Sequence, residues 1–100
     1  MKHPYYDKSK ILTELGWTRV YETSDGNSEH SSWAPIPNGP CGDIYVFEGY
    51  HMNMGSHLYV VWSDTLEEAD KLVGSTENGI PCFYPNTEDE LRVILTCAIG

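Results

Sequence analysis

Apolar and polar positions change period several times along the chain, and each change marks an element. Ile11, Leu12 and Leu15 recur at helical spacing on a face they share with Lys8. Asp7 precedes them as an N-cap and Gly16 follows as a C-cap, so a short helix is predicted between the two. From residue 17 to 23 the period falls to two, with Trp17, Arg19 and Tyr21 set against Thr18, Val20 and Glu22. That alternation predicts a strand. Asp25, Gly26 and Asn27 form a turn signal, and residues 28–33 read as a polar edge strand that returns from it. Residues 34–42 hold three prolines and two glycines in nine positions, which predicts an irregular loop with Cys41 exposed in it.

Residues 43–50 and 56–63 are the best strands. Ile44 to Phe47 and Leu58 to Trp62 are apolar at successive positions, as expected for strands covered on both faces. A short connector makes them a hairpin. A symmetric register would set His51 opposite His57 and Phe47 opposite Val61. A second helix starts near residues 63–65, where Asp64 with Glu67 and Thr65 with Glu68 fit the capping-box spacing. Leu66, Ala69, Leu72 and Val73 give its buried stripe, and Gly74 ends it. Residues 79–84 read as a loop or short edge strand, punctuated by Pro81 and Pro85. Thr87 and Glu90 cap a last helix with the stripe Leu91, Ile94, Leu95 and Ala98.

These elements predict an α+β fold: a small antiparallel sheet of three to five strands around the central hairpin, with about three helices mainly on one face. No repeat or low-complexity tract divides residues 1–100, so one domain is expected. The longest unbroken apolar run is five residues, Leu58 to Trp62, against the ~18 that a membrane span needs. Met1, Lys2 and His3 have no apolar segment behind them, so no signal peptide is expected. The three cysteines, Cys41, Cys82 and Cys97, are odd in number and lack C-x-x-C spacing. This is the pattern of free thiols in a reducing cytoplasm.

Charge narrows the function classes. Fifteen acids against six bases leave a net charge of −9 in 100 residues. Between Val20 and Asp70 there is no Lys or Arg. Direct binding to nucleic acid or an anionic membrane is therefore disfavoured. There is no G-x-S-x-G, no phosphate-binding glycine loop, and Gly55, Ser56 and His57 lack the strand-to-helix elbow of a hydrolase. Glu67 and Glu68, and the run Glu88 to Glu90, sit where helix dipoles favour acids. Cys97 begins a formal C-a-a-X ending inside a helical stripe with no basic run before it, which reads as coincidence.

The leading expectation is a non-enzymatic, acidic protein-binding inhibitor that covers a Lys/Arg-rich surface of a nucleic-acid-handling complex. Size, acidity and the lack of a catalytic motif give it, by analogy, the build of small phage inhibitors of bacterial defence, such as anti-CRISPR or anti-restriction proteins. Its expected contact residues are Glu67, Glu68 and Asp70, then Asp25 and Glu29 beside the turn, with Tyr50 or Tyr59 as an aromatic anchor. No catalytic residue, metal or cofactor is assigned to it. The alternative is a small metal-binding or cysteine-dependent enzyme using Cys41, His51 and His57, with Asp43 or His30 as further ligands. A third reading is an oligomerisation module, such as a homodimer, that pairs through the apolar hairpin.

Overall fold

The computed structural model describes residues 7–24, 26–51, 55–74 and 80–100. Helix α1 (Lys8–Leu15) starts at Asp7, whose carboxylate accepts from the Lys10 N–H at 3.2 Å. It stops at Gly16, where φ is +118° and the N–H bonds back to the Leu12 and Thr13 carbonyls. A side chain at Gly16 would also press on Cys41 Sγ at 3.1 Å and Pro40 at 3.2 Å, so both backbone and packing call for glycine.

Five antiparallel strands follow one another across a single sheet in the order β1-β2-β3-β4-β5. They are β1 (Trp17–Ser24), β2 (Ser28–Pro35), β3 (Ile44–His51), β4 (Gly55–Trp62) and β5 (Cys82–Phe83). Helix α2 (Leu66–Gly74) lies between β4 and β5, and α3 (Glu88–Ile99) closes the chain. No helix among the described residues is long and apolar enough to cross a membrane.

Several expectations change once the strands pair. β2 is not an edge strand: it lies between β1 and β3, and β1 takes the edge. Main-chain ladders hold β2 on both sides, so its polar side chains do not exclude it from the interior of the sheet; only Ser31 and Trp33 on it are buried. β2 also reaches Pro35, two residues into the expected loop, with Pro35 opposite Trp17. The central hairpin forms, but its register differs by two residues: Phe47 faces Tyr59, Gly49 faces His57 and His51 faces Gly55. The centre of pairing lies one residue earlier in the chain than expected, which shifts each partner by two, and an even shift leaves every side chain on its expected face. Asp25 lies outside the described residues.

The alternation in β1 is broken by a bulge between Arg19 and Tyr21. The extra residue turns Tyr21 to the face opposite Arg19, and brings Glu22 to the face of Arg19. Arg19 and Glu22 then pair at 2.9 Å, which two residues three apart in a regular strand could not do.

Two cores form, one on each face. On the first, α1 and α3 pack Ile11, Leu12, Leu91 and Leu95 on Trp17, Trp33, Ile44, Val46, Leu58 and Val60. On the second, α2 sets Ala69, with Leu66, Leu72 and Val73, against Phe47 and Val61. Two helices thus share a face and the third covers part of the other, in place of three mainly on one side. Cys41 belongs to the first core and is fully buried, contrary to its expected exposure. The loop carrying it is pinned by Ile36 N–H to Gly16 O at 3.0 Å and Ile44 N–H to Cys41 O at 3.1 Å.

Candidate functional site

The seven expected contact residues do not make one surface. Glu67, Glu68 and Asp70 are exposed on α2. The helix starts well: the Thr65 hydroxyl accepts from the Glu68 N–H at 3.2 Å, and Glu67 and Glu68, in the first turn, sit at the positive end of the dipole. Glu29 is half-buried in β2, directly opposite Tyr50. Tyr50 is only 8% exposed. Both belong to the face away from α2, because they share the parity of Trp33 and Val46. Tyr59 is partly buried on the α2 face. Tyr50 is therefore a poor anchor, and α2 supplies the only three of these acids that stand together among the described residues.

Most cations are committed within the chain. Lys8 meets Glu48 at 2.7 Å, with both side chains 10% exposed, and also donates to Gly49 O at 3.1 Å. Lys71 lies 3.7 Å from Glu67. Arg92 meets Glu14 at 3.0 Å and Glu88 at 2.9 Å, and these two carboxylates hold its guanidinium firmly in the charged form. Among the described residues Asp43, Asp64, Glu68, Asp70 and Asp89 lie outside these pairs and are exposed.

An apolar groove runs where β4, β5 and α3 meet. One part, of about 410 Å³, is lined by Val60, Trp62, Pro81, Phe83, Val93, Ile94, Cys97 and Ala98. The adjoining part, of about 390 Å³, shares Phe83, Val93 and Ile94 with it and ends at Asp89 and Glu90. Trp62 is 59% exposed and Val93 61% exposed. β5 pairs only with Leu58 and Tyr59, so Val60 to Trp62 have no further strand outside them among the described residues. Acids reach the groove because Thr87 caps α3 and places Glu88, Asp89 and Glu90 in its first turn. Glu90 also accepts from the Asn86 N–H at 2.8 Å, which locks that turn.

A second concavity, of about 260 Å³, opens on the sheet face beyond the reach of α2. Ser28, His30, His51, His57, Tyr59, Cys82 and Tyr84 line it. Register explains the grouping: His30, Gly49 and His57 lie in line across β2, β3 and β4. The imidazoles of His30 and His57 lean over the glycine with ring centroids 5.6 Å apart. Tyr59 meets His57 edge-on at 6.0 Å. Burial and the neighbouring His30 lower the pKa of His57, with a smaller contribution from Lys8. Tyr59 and Tyr84 both hydrogen-bond to the Cys82 side chain, which raises both phenols.

The set Cys41, His51 and His57 is not assembled. His51 and His57 do line the same concavity, but Cys41 lies in the helix-covered core. Its thiol donates to Leu15 O at 3.3 Å, and desolvation raises its pKa, which is the reverse of nucleophile activation. Among the described residues no three His, Cys, Asp or Glu stand together as a metal-binding set. The apolar hairpin has no free edge on β3, and its faces carry the two cores.

No protein-family model, curated protein or solved structure matches this chain. The groove was hidden in the sequence except for one signal: Val93, an apolar β-branched residue off the α3 stripe. His30 was expected only as a further ligand beside Cys41, His51 and His57, and Cys82 had no local signal, because strand order alone brings them to His57.

Proposed function

We propose that this protein is a small acidic binding module whose partner presents an apolar segment flanked by Lys and Arg. The observation that carries the reading is the groove beside α3, where the exposed apolar side chains of Trp62 and Val93 run into the acidic first turn of that helix. Apolar contact supplies affinity, and acids at one end select a basic partner and its orientation. Basic segments with apolar anchors are common on proteins that handle nucleic acid, so occupying one would act as inhibition. The contact is centred on Asp89, Glu90 and the groove and not on Glu67, Glu68 and Asp70, with the α2 acids adding to long-range attraction.

The test uses a Lys/Leu amphipathic peptide and its Glu/Leu counterpart, read by the fluorescence of Trp62. Trp17 and Trp33 are buried and contribute a constant background. The Lys/Leu peptide should shift the Trp62 emission to the blue and bind more weakly as salt rises. Val93→Asp should abolish this while leaving thermal unfolding unchanged. Equal binding of both peptides, or binding that survives Val93→Asp, would overturn the reading.

A further inference from the structure

We propose that the segment held in the groove beside α3 is a proline-rich stretch in the polyproline II conformation, with Lys or Arg at one end. This rests on the reading of the groove as a docking surface and narrows what can fill it. Asp89, Val93 and Cys97 line it at four-residue steps on α3, so it follows that helix for about 12 Å. A strand gains little there. β5 is the last strand of the sheet, but it is only Cys82–Phe83 long. Continuing its register past Cys82 sets Pro81 beside Val60, and Pro85 follows soon after Phe83. Neither proline has an N–H, so the ladder that a partner strand would extend is cut at both ends. A helix fares no better, since about 12 Å holds only about two turns, and isolated helices that short do not hold in water.

A polyproline II segment meets neither limit. It needs no ladder, it is extended before binding, and about four of its residues cover the same length at ~3.1 Å each. Such a segment seats its side chains in shallow apolar depressions, and the groove has two, which share Phe83, Val93 and Ile94. An exposed aromatic ring lines each, Trp62 in one and Tyr84 in the other. Proline rings pack on aromatic faces with little entropy left to lose. Charge sets the direction. Asp89 and Glu90 lie at the Tyr84 end, and Asp89 is outside the ion pairs of the chain, so the basic residue of the partner belongs there. A second copy of this chain is a poor occupant. Its stretch Pro35, Ile36 and Pro37 has the apolar chemistry, but no Lys or Arg stands between Val20 and Asp70 to meet those acids.

The experiment titrates the whole protein with a short peptide of repeated Pro-Leu-Pro ending in a pair of arginines, read by Trp62 fluorescence. Counterparts carry Ala or Thr in place of every Pro, which favours helix or strand at equal charge. The proline peptide should bind at least about tenfold tighter than either. Tyr84→Ala should weaken it at least about fivefold, and Asp89→Lys should make a version ending in glutamates the better ligand. Both side chains are exposed, and thermal melts check that each variant folds. An Ala or Thr counterpart that binds as tightly as the proline peptide would overturn the inference. So would a proline peptide that is not bound, or one whose binding ignores both substitutions. In each of these cases the groove reading stands if the Lys/Leu peptide still shifts Trp62. If no peptide of either kind shifts Trp62, the groove reading falls and the inference falls with it.

Discussion

Trp17 and Trp33 offer a matched pair for testing how the first core is held together. Both indoles are buried, at 0% and 2% exposure. Trp17 Nε1 donates to Ile44 O at 2.9 Å, while Trp33 Nε1 has no hydrogen-bond partner among the described residues. Replacing either by phenylalanine removes the same atoms, with a packing loss on the order of 1 kcal/mol at each site. The polar contributions then differ in sign. Trp17→Phe forfeits a buried hydrogen bond and deprives the Ile44 carbonyl of its indole donor, a further loss of about 1–3 kcal/mol. Trp33→Phe deletes a buried donor with no acceptor and recovers about 1–3 kcal/mol of desolvation. The Arg19 guanidinium, 4.8 Å above the Trp33 ring, keeps an aromatic face in the variant, so at most about 0.5–1 kcal/mol is lost there. Trp17→Phe should therefore be less stable than Trp33→Phe by about 1–6 kcal/mol. For a domain of this size that is a gap in Tm of at least about 4 °C. Urea and thermal unfolding followed by far-UV circular dichroism measure both. Equal destabilisation, or a larger loss at Trp33, would refute the assignment of hydrogen-bond status to the two indoles.

Lys8→Met should cost about 3–5 kcal/mol, because it leaves the Glu48 carboxylate, 10% exposed, without its partner; adding Glu48→Leu should restore most of the loss in urea unfolding, and no restoration would show that Lys8 acts through packing alone. The lowered His57 pKa gives a pH signature. The unfolded chain takes up this proton first as pH falls, so stability should decline from just above the ordinary histidine value of about 6.5 downward through the lower folded value, then level off. Urea midpoints between neutral pH and the onset of carboxylate titration should show the decline, and His57→Gln should flatten it; an identical slope in the variant would assign it to other groups.

What the chain specifies locally could be read from it directly. The stripe Leu91, Ile94, Leu95 with Ala98 fixes α3, and Thr87 with Glu90 fixes its start, because helix periodicity and capping involve residues within a turn of one another. Asp7 and Gly16 bound α1 for the same reason. The hairpin strands were legible because Ile44 to Phe47 and Leu58 to Val61 are apolar at successive positions, as in a strand covered on both faces, although Trp62 at the end of β4 is exposed. The class, α+β with an antiparallel sheet, follows from these pieces.

Tertiary pairing decided the rest. Nothing in the polar sequence of β2 says that β1 will lie outside it, since main-chain ladders do not depend on side-chain identity. The bulge that turns Tyr21 over, and the two-residue shift that puts His57 opposite Gly49, are choices of register between strands. Cys41 is buried because Gly16, twenty-five positions away, leaves room for its sulfur. Likewise Glu29 and Tyr50 part company with the α2 acids only because α2 crosses to the other face. The sequence by itself determined the helices, their caps and the apolar hairpin, since each rests on short-range backbone and burial rules. The groove and the histidine pair came from the tertiary structure alone, because each is made by side chains that only strand order and register bring together.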